Sequence, residues 1–332
     1  MFPLIYVEEA LRNHPTVDRI CRTYPHTPLV FCHNYAEVFH PKAQNFRAQK
    51  QKPSLILAHR QKHWLIPVPP HHTLGGSHHF YFSHILNCPY DCRYCFLQGM
   101  FSSANYVFFI NYEDCHRAME DMLDLYPEGE CYFFSGYDGD SLALDSITQF
   151  VDAFVPFFVN RPRAFLELRT KSHKIDTLLH HEPSSQIIVA FSLTPEWATR
   201  SLEHRTPSLS HRLIAMQKTA KARWPIGLRF DPLLYTEDYQ QQYKALFSKV
   251  FAHIEPTQVH SVTLGPLRFP KEIAHNITAL YPEEKLFSQR LQVRQTMVSY
   301  SQQIEEAMMT FCHEELLRYV PASLLFSCKV PS

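Results

Sequence analysis

Cys88, Cys92 and Cys95 lie in the run CPYDCRYCFLQG, which spans 88–99. Their spacing is C-x3-C-x2-C. Three thiolates this close can hold three irons of a [4Fe–4S] cube. Such cubes ordinarily take four cysteines, so the fourth iron is left for an exchangeable ligand. An open iron is a place for chemistry, and the loop therefore predicts an enzyme. Two structural alternatives stand beside this reading. With His84 or Asp91 the thiols would make a zinc site of the Cys3His kind; without any metal they would be buried core thiols. Zinc favours paired C-x2-4-C knuckles set apart in sequence, and Cys21, Cys32, Cys115, Cys131, Cys312 and Cys328 are all isolated.

The elements that must position this loop follow from residue 79 onward, where strand-like and helix-like stretches alternate. The strand candidates are His79–Leu86, Glu130–Ser135, Ala164–Thr170, Gln186–Leu193, Ile226–Pro232 and Val259–Leu264. Helix-like segments lie between them: Tyr112–Leu125, Leu142–Val155, Lys174–His180, Ser208–Ala222 and Glu237–Phe251. Leu144, Ile147, Phe150, Val151 and Phe154 keep helical spacing, as do Leu209, Leu213, Met216 and Ala220 behind Pro207. Six such units predict a parallel sheet with crossover helices, in the form of a partial (β/α)6 TIM-like barrel. Sites in these folds gather at the carboxyl ends of the strands, so the cysteine loop is expected at the barrel mouth.

Residues 1–77 do not follow this rhythm and predict a small N-terminal α/β cap, bounded by Pro67, Pro69, Pro70, Gly75 and Gly76. The barrel is expected over 78–269. A C-terminal extension over 270–332 is expected to close it, with a helix at Gln303–Tyr319 and a strand at Leu324–Cys328.

The 332 residues are 45% hydrophobic and 19% charged, enough for a full core. Basic and acidic residues balance at 32 each, which excludes a protein coated in positive charge. Nine cysteines without a disulfide-like pattern fit a reducing cytosol. The N-terminus lacks a secretory pattern, and the longest strongly apolar stretch, Ala153–Val159, is too short to span a bilayer. A soluble cytoplasmic protein with no membrane contact is expected. Residues 38–90 contain no Asp or Glu but carry Lys42, Arg47, Lys50, Lys52, Arg60 and Lys62. This basic stretch either meets phosphates or is a solvated surface balanced elsewhere.

The cysteine run after a first barrel strand resembles the radical S-adenosylmethionine (SAM) enzymes. The chain further resembles the spore photoproduct lyase family over nearly its whole length, in CPYDCRYCFLQ, SGYDGDSLALDSIT, LELRTKSHKIDTLL, VAFSLTPEW, EHRTPSLSHRLIAMQKTAKARWPIGLRFDPL and LRFPKEIAHNITALYPEEKL. The resemblance implies a carbon–carbon lyase that repairs a methylene-bridged thymine dimer in DNA through a 5′-deoxyadenosyl radical. It implies a [4Fe–4S] cluster on Cys88, Cys92 and Cys95, with S-adenosyl-L-methionine on the fourth iron. Lys171, Ser192 and Asp140 become cofactor contacts. Tyr94 becomes a group near the cofactor that takes part in radical transfer. The implied partners are DNA carrying a pyrimidine photoproduct and an electron donor such as flavodoxin or ferredoxin.

This chain departs from the family at two positions. Tyr137 stands where the family has its hydrogen-donating cysteine, and Phe96 stands where it has a second tyrosine. Tyr137 is either the donor or an aromatic lining the pocket. Cys131 lies six residues upstream on the same strand, roughly 20 Å away at ~3.3 Å per residue, and is rejected as a substitute. Arg268, Arg290 and Arg294 are possible phosphate contacts near Phe287–Tyr300, a segment shorter than the family's DNA-contacting hairpin. Two other functions fit the same residues: a radical SAM enzyme acting on a modified nucleotide, RNA or peptide, and a non-catalytic nucleic-acid-binding metalloprotein.

Overall fold

The computed structural model describes residues 2–288 and 290–328. Its main sheet has eight strands, laid side by side in chain order: Leu65–Pro67, His78–Phe82, Cys131–Phe134, Ala164–Thr170, Ile187–Ser192, Ile226–Leu233, Val259–Pro266 and Leu325–Ser327. The first pair is antiparallel and every later pair parallel. The sheet curls into a half-barrel, as the spacing predicted. The six strands from His78–Phe82 to Val259–Pro266 are its βα units, and Leu325–Ser327 is the expected closing strand.

Residue alternation explains both faces. Leu166, Leu168, Val189, Phe191, Leu228, Phe230, Val262 and Leu264 join the helices in one apolar core. The residues between them, Glu167, Arg169, Arg229 and Asp231, point the other way, into the lumen, because successive strand side chains face opposite sides. There Glu167 binds Arg229 at 2.7 Å and Arg169 at 2.9 Å, so the buried charges are paired.

The helix expected over 142–155 is two helices, Asp145–Thr148 and Phe150–Val159. Gln149 between them has φ +51°. The Asp145 carboxylate accepts the Val151 N–H at 2.9 Å, competing with the helical ladder and ending it there.

The N-terminal sheet is larger than a cap of residues 1–77 implies. Leu29–Cys32, Ile5–Glu8, Leu55–Ala58 and Tyr106–Phe109 pair in parallel, and Ile85–Leu86 adds an antiparallel edge. Ile85–Leu86 and Tyr106–Phe109 flank the cysteine loop, so both loop ends are anchored in this sheet. The C-terminal part builds a three-stranded antiparallel sheet from Arg268–Pro270, Met297–Tyr300 and Leu291–Arg294, with helices Lys271–Leu280 and Gln302–Leu316.

Candidate active site at the barrel mouth

The cysteine loop begins at Asn87, whose φ of +70° turns the chain. Its buried amide donates to the Ser103 and Asn105 carbonyls at 2.8 and 2.7 Å. Asp91–Cys92 forms a short strand against Glu203–His204, and the Arg93 N–H reaches the Leu202 carbonyl at 2.8 Å. Lys50, from the basic stretch, donates to the Cys88 carbonyl at 2.7 Å. Behind the loop, Gly99 presses on helix Lys271–Leu280: a Cβ there would stand 2.7 Å from the Ile273 carbonyl oxygen. Arg93 also lies 3.8 Å from the Tyr281 ring centroid. Four separate parts of the chain therefore fix the loop.

Cys92 is buried, while Cys88 and Cys95 are half-buried. Burial pushes the Cys88 thiol up to about 12, and the Asp140 carboxylate, then Cys95, add to the rise. Cys92 and Cys95 are also raised, first by burial. Such thiols need cationic company to ionise, and Lys171 and Lys50 act on Cys95 in that sense. Among the described residues, no three His, Cys, Asp or Glu side chains group to hold one metal ion. His84 is stacked on Phe150 at 4.0 Å and held down to about 3 by burial. Asp91 pairs with Arg93 at 3.1 Å. Neither completes a zinc set.

A buried network joins the loop to the strand ends. Tyr94 donates its phenol proton to Glu203, which also binds Arg212 and accepts from Thr194 at 2.9 Å. Arg212 donates to the Ser192 carbonyl at 3.2 Å, fixing the carboxyl end of Ile187–Ser192. Lys171 follows Ala164–Thr170 directly, and its Nζ lies 5.5 Å from the Tyr94 ring centroid. The fold thus brings Lys171 and Tyr94 to the thiols, while Ser192 ends the next strand, with its carbonyl held by Arg212. Asp140 is committed differently. Its carboxylate accepts from Leu142 N, Ala143 N, Thr170 Oγ1 and Lys171 N at 3.1, 2.9, 2.7 and 2.6 Å. These bonds place it behind Lys171 as a positioning group.

Tyr137 stacks on Tyr81 at 4.7 Å and meets Phe96 at 5.6 Å. It therefore lies beside the cysteine loop. Cys131 is fully buried at the start of its strand and packs in the helix-facing core, in keeping with its rejection. The expectation for Arg268 is corrected: its guanidinium grips Asp231 in a bidentate pair at 2.9 and 3.1 Å, 15% exposed, and is not free for phosphate. Arg294 pairs with Glu305. Arg290 stays exposed, over Tyr235 and near Glu237 at 3.3 Å.

Sequence reasoning missed Glu203 and Arg212 as a pair, although both lie in the EHRTPSLSHR stretch. It also missed the lumen charges. LELRT and GLRFD carry charges at alternate positions of apolar strands, a signal for a polar lumen.

A parallel half-barrel with a three-cysteine loop after its first parallel strand is the architecture of the radical SAM class. The family model for spore photoproduct lyase matches residues 77–320, and the chain belongs to that family, whose members are radical SAM lyases. It is 27% identical over 206 residues to the spore photoproduct lyase of Bacillus subtilis (strain 168), which covers 60% of this chain and 59% of that protein. The matched stretch thus spans under two thirds of the curated relative. A spore photoproduct lyase variant solved with bound AdoMet and dinucleoside spore photoproduct superposes with a TM-score of 0.82 at 18% identity, over 100% of this chain and 99% of the other. A second variant superposes at 0.83 and 17% identity, over 99% and 98%.

Proposed function

We propose that the chain carries a [4Fe–4S] cluster on Cys88, Cys92 and Cys95, binds S-adenosylmethionine, and repairs a methylene-bridged thymine photoproduct in DNA. The observation that carries this reading is the three-thiol loop held at the mouth of the half-barrel against the Tyr94–Glu203–Arg212 network. When bound, the cluster and S-adenosylmethionine supply a carbon radical that removes one substrate hydrogen.

The protein's own part is placement. Lys171 provides a cation for the carboxylate of S-adenosylmethionine, and Asp140 holds the Lys171 backbone. Ser192 offers a hydroxyl at the next strand end. Glu203 and Arg212 keep Tyr94 fixed between two thiols. Tyr81, Tyr137 and Phe96 form an aromatic wall that suits a flipped base. Arg290 is an exposed guanidinium just before the strand Leu291–Arg294 and suits a phosphate. A one-electron donor of the flavodoxin or ferredoxin type is the implied partner. Among the described residues no helix is long and apolar enough to cross a membrane.

A second reading, radical chemistry on another substrate, is favoured by one observation: Tyr137 stands at the family's donor cysteine. The test of the common core is anaerobic reconstitution with iron and sulfide. Close to four irons per chain, lost in Cys92→Ala, is expected for a [4Fe–4S] cluster, and with reductant the reconstituted protein should form 5′-deoxyadenosine. A single tightly bound zinc and no deoxyadenosine would reject it.

A further inference from the structure

The lumen above the Glu167–Arg229 pair contains a thiol that the reading so far does not use. Thr263 lies on Val259–Pro266. Ser261, two residues before it, takes the Arg229 guanidinium on its hydroxyl at 2.9 Å. At Gly265, two residues after it, a Cβ would stand 2.7 Å from the Asp231 carboxylate. The three residues share one face, so Thr263 points into the lumen. It is 3% exposed, and its hydroxyl has no hydrogen-bond partner among the described residues. A buried hydroxyl aimed into a polar lumen and left unpaired is suited to a ligand.

Thr263 pairs in register with Phe326 of the closing strand. Phe326 packs in the lumen with Leu74, Tyr81, Tyr132 and Phe134. Cys328 is two residues further on, and its N–H continues the ladder to the Leu264 carbonyl at 2.7 Å. Its side chain therefore shares the lumen face, one step nearer the mouth. Charge reports the same neighbourhood. Cys328 feels Asp231, Arg268, Arg169 and Arg229, and Tyr81 feels Arg169, Cys328 and Asp231. Tyr81 in turn stacks on Tyr137, which meets Phe96 next to Cys95. An aromatic line thus runs from the cysteine loop toward this thiol.

We propose that Cys328 is the hydrogen-atom donor that quenches the substrate-derived carbon radical at the barrel mouth. This rests on the radical-enzyme reading above. The thiol S–H bond breaks homolytically, a C–H bond forms on the product, and a thiyl radical remains at Cys328 Sγ. One electron from the external low-potential donor and one solvent proton return it to S–H. A thiol gives its hydrogen to carbon radicals faster than the phenol of Tyr137 does. Burial, then Asp231, pushes Cys328 up to about 11, so the hydrogen is in place at neutral pH.

Two measurements on the full chain test this. In the cofactor-free protein, alkylation of Cys328 by N-ethylmaleimide is followed by mass spectrometry with and without dinucleoside spore photoproduct. Protection by the dinucleoside is expected; an unchanged rate at a concentration that saturates binding would overturn the assignment. In the reconstituted protein, Cys328→Ala and the nearly isosteric Cys328→Ser should lower restored thymine per deoxyadenosine by about tenfold or more. An unchanged ratio in Cys328→Ser would overturn the donor role while leaving the radical reading intact. Deoxyadenosine absent from the unsubstituted protein would instead overturn both.

Discussion

Glu203 ties together the residues on which the cysteine loop depends. It accepts from Tyr94 and Thr194 and neutralises Arg212, whose side chain is fully buried. Glu203→Gln leaves that guanidinium without a counter-charge. Removing one partner of a buried pair costs about 3–5 kcal/mol, and urea unfolding of the Cys92→Ala background, which has no intact cluster, should show a loss of this size. Glu167 offers a pH test away from the loop. Burial alone would raise its pKa, but Arg229 and then Arg169 outweigh it and hold it near 2, against 4.5 ordinarily. A depressed carboxylate stabilises the fold above its unfolded pKa and loses that contribution as pH falls toward the folded one. Stability should therefore decline between about pH 5 and pH 2 by an amount of the order of 3 kcal/mol, and Glu167→Gln should flatten that limb of the curve. The three thiols were legible because their spacing is local. Arg268 was misread because its partner Asp231 is 37 positions away. Glu203 went unnoticed because its tie to Tyr94 spans 109 positions.

At the scale of elements, the cysteine loop is set by what lies behind it. Helix Lys271–Leu280 packs against the short helix Leu97–Met100, and Asn276 donates to the Gly99 carbonyl at 3.0 Å. Gly99→Ala puts a methyl against the Ile273 carbonyl and must push the two apart. Overpacking of this kind costs about 1–3 kcal/mol, so a lower thermal midpoint and a lower iron content after reconstitution are expected together. Iron content equal to the unsubstituted protein would separate loop geometry from this helix. The barrel strands and most of the helices were legible from apolar periodicity. The break at Gln149 was not, because it depends on one carboxylate outcompeting a helical turn. The reach of the N-terminal sheet was also hidden: Ile85–Leu86 and Tyr106–Phe109 are short, and only their pairing shows where they belong.

At the scale of the whole molecule, the half-barrel gives a polar lumen opening at the cysteine loop, with exposed Arg290 just before the strand Leu291–Arg294. With 32 basic and 32 acidic residues, any DNA affinity must come from local charge. Arg290→Ala should weaken binding uniformly across sequences and reduce the salt slope by about one, as read by fluorescence anisotropy across a salt series. An unchanged slope would place the phosphate contact elsewhere, with the basic stretch 38–90 as the next surface to vary. Lesion repair by radical chemistry can be measured in a single assay. The reconstituted protein is incubated without oxygen with S-adenosylmethionine, reductant and an oligonucleotide carrying the methylene-bridged thymine dimer, and both deoxyadenosine and restored thymine are quantified. Deoxyadenosine that rises with the lesion, with thymines restored alongside it, is expected. Deoxyadenosine that is indifferent to the lesion, with the dimer intact, would contradict the repair assignment and direct the same chemistry to another substrate.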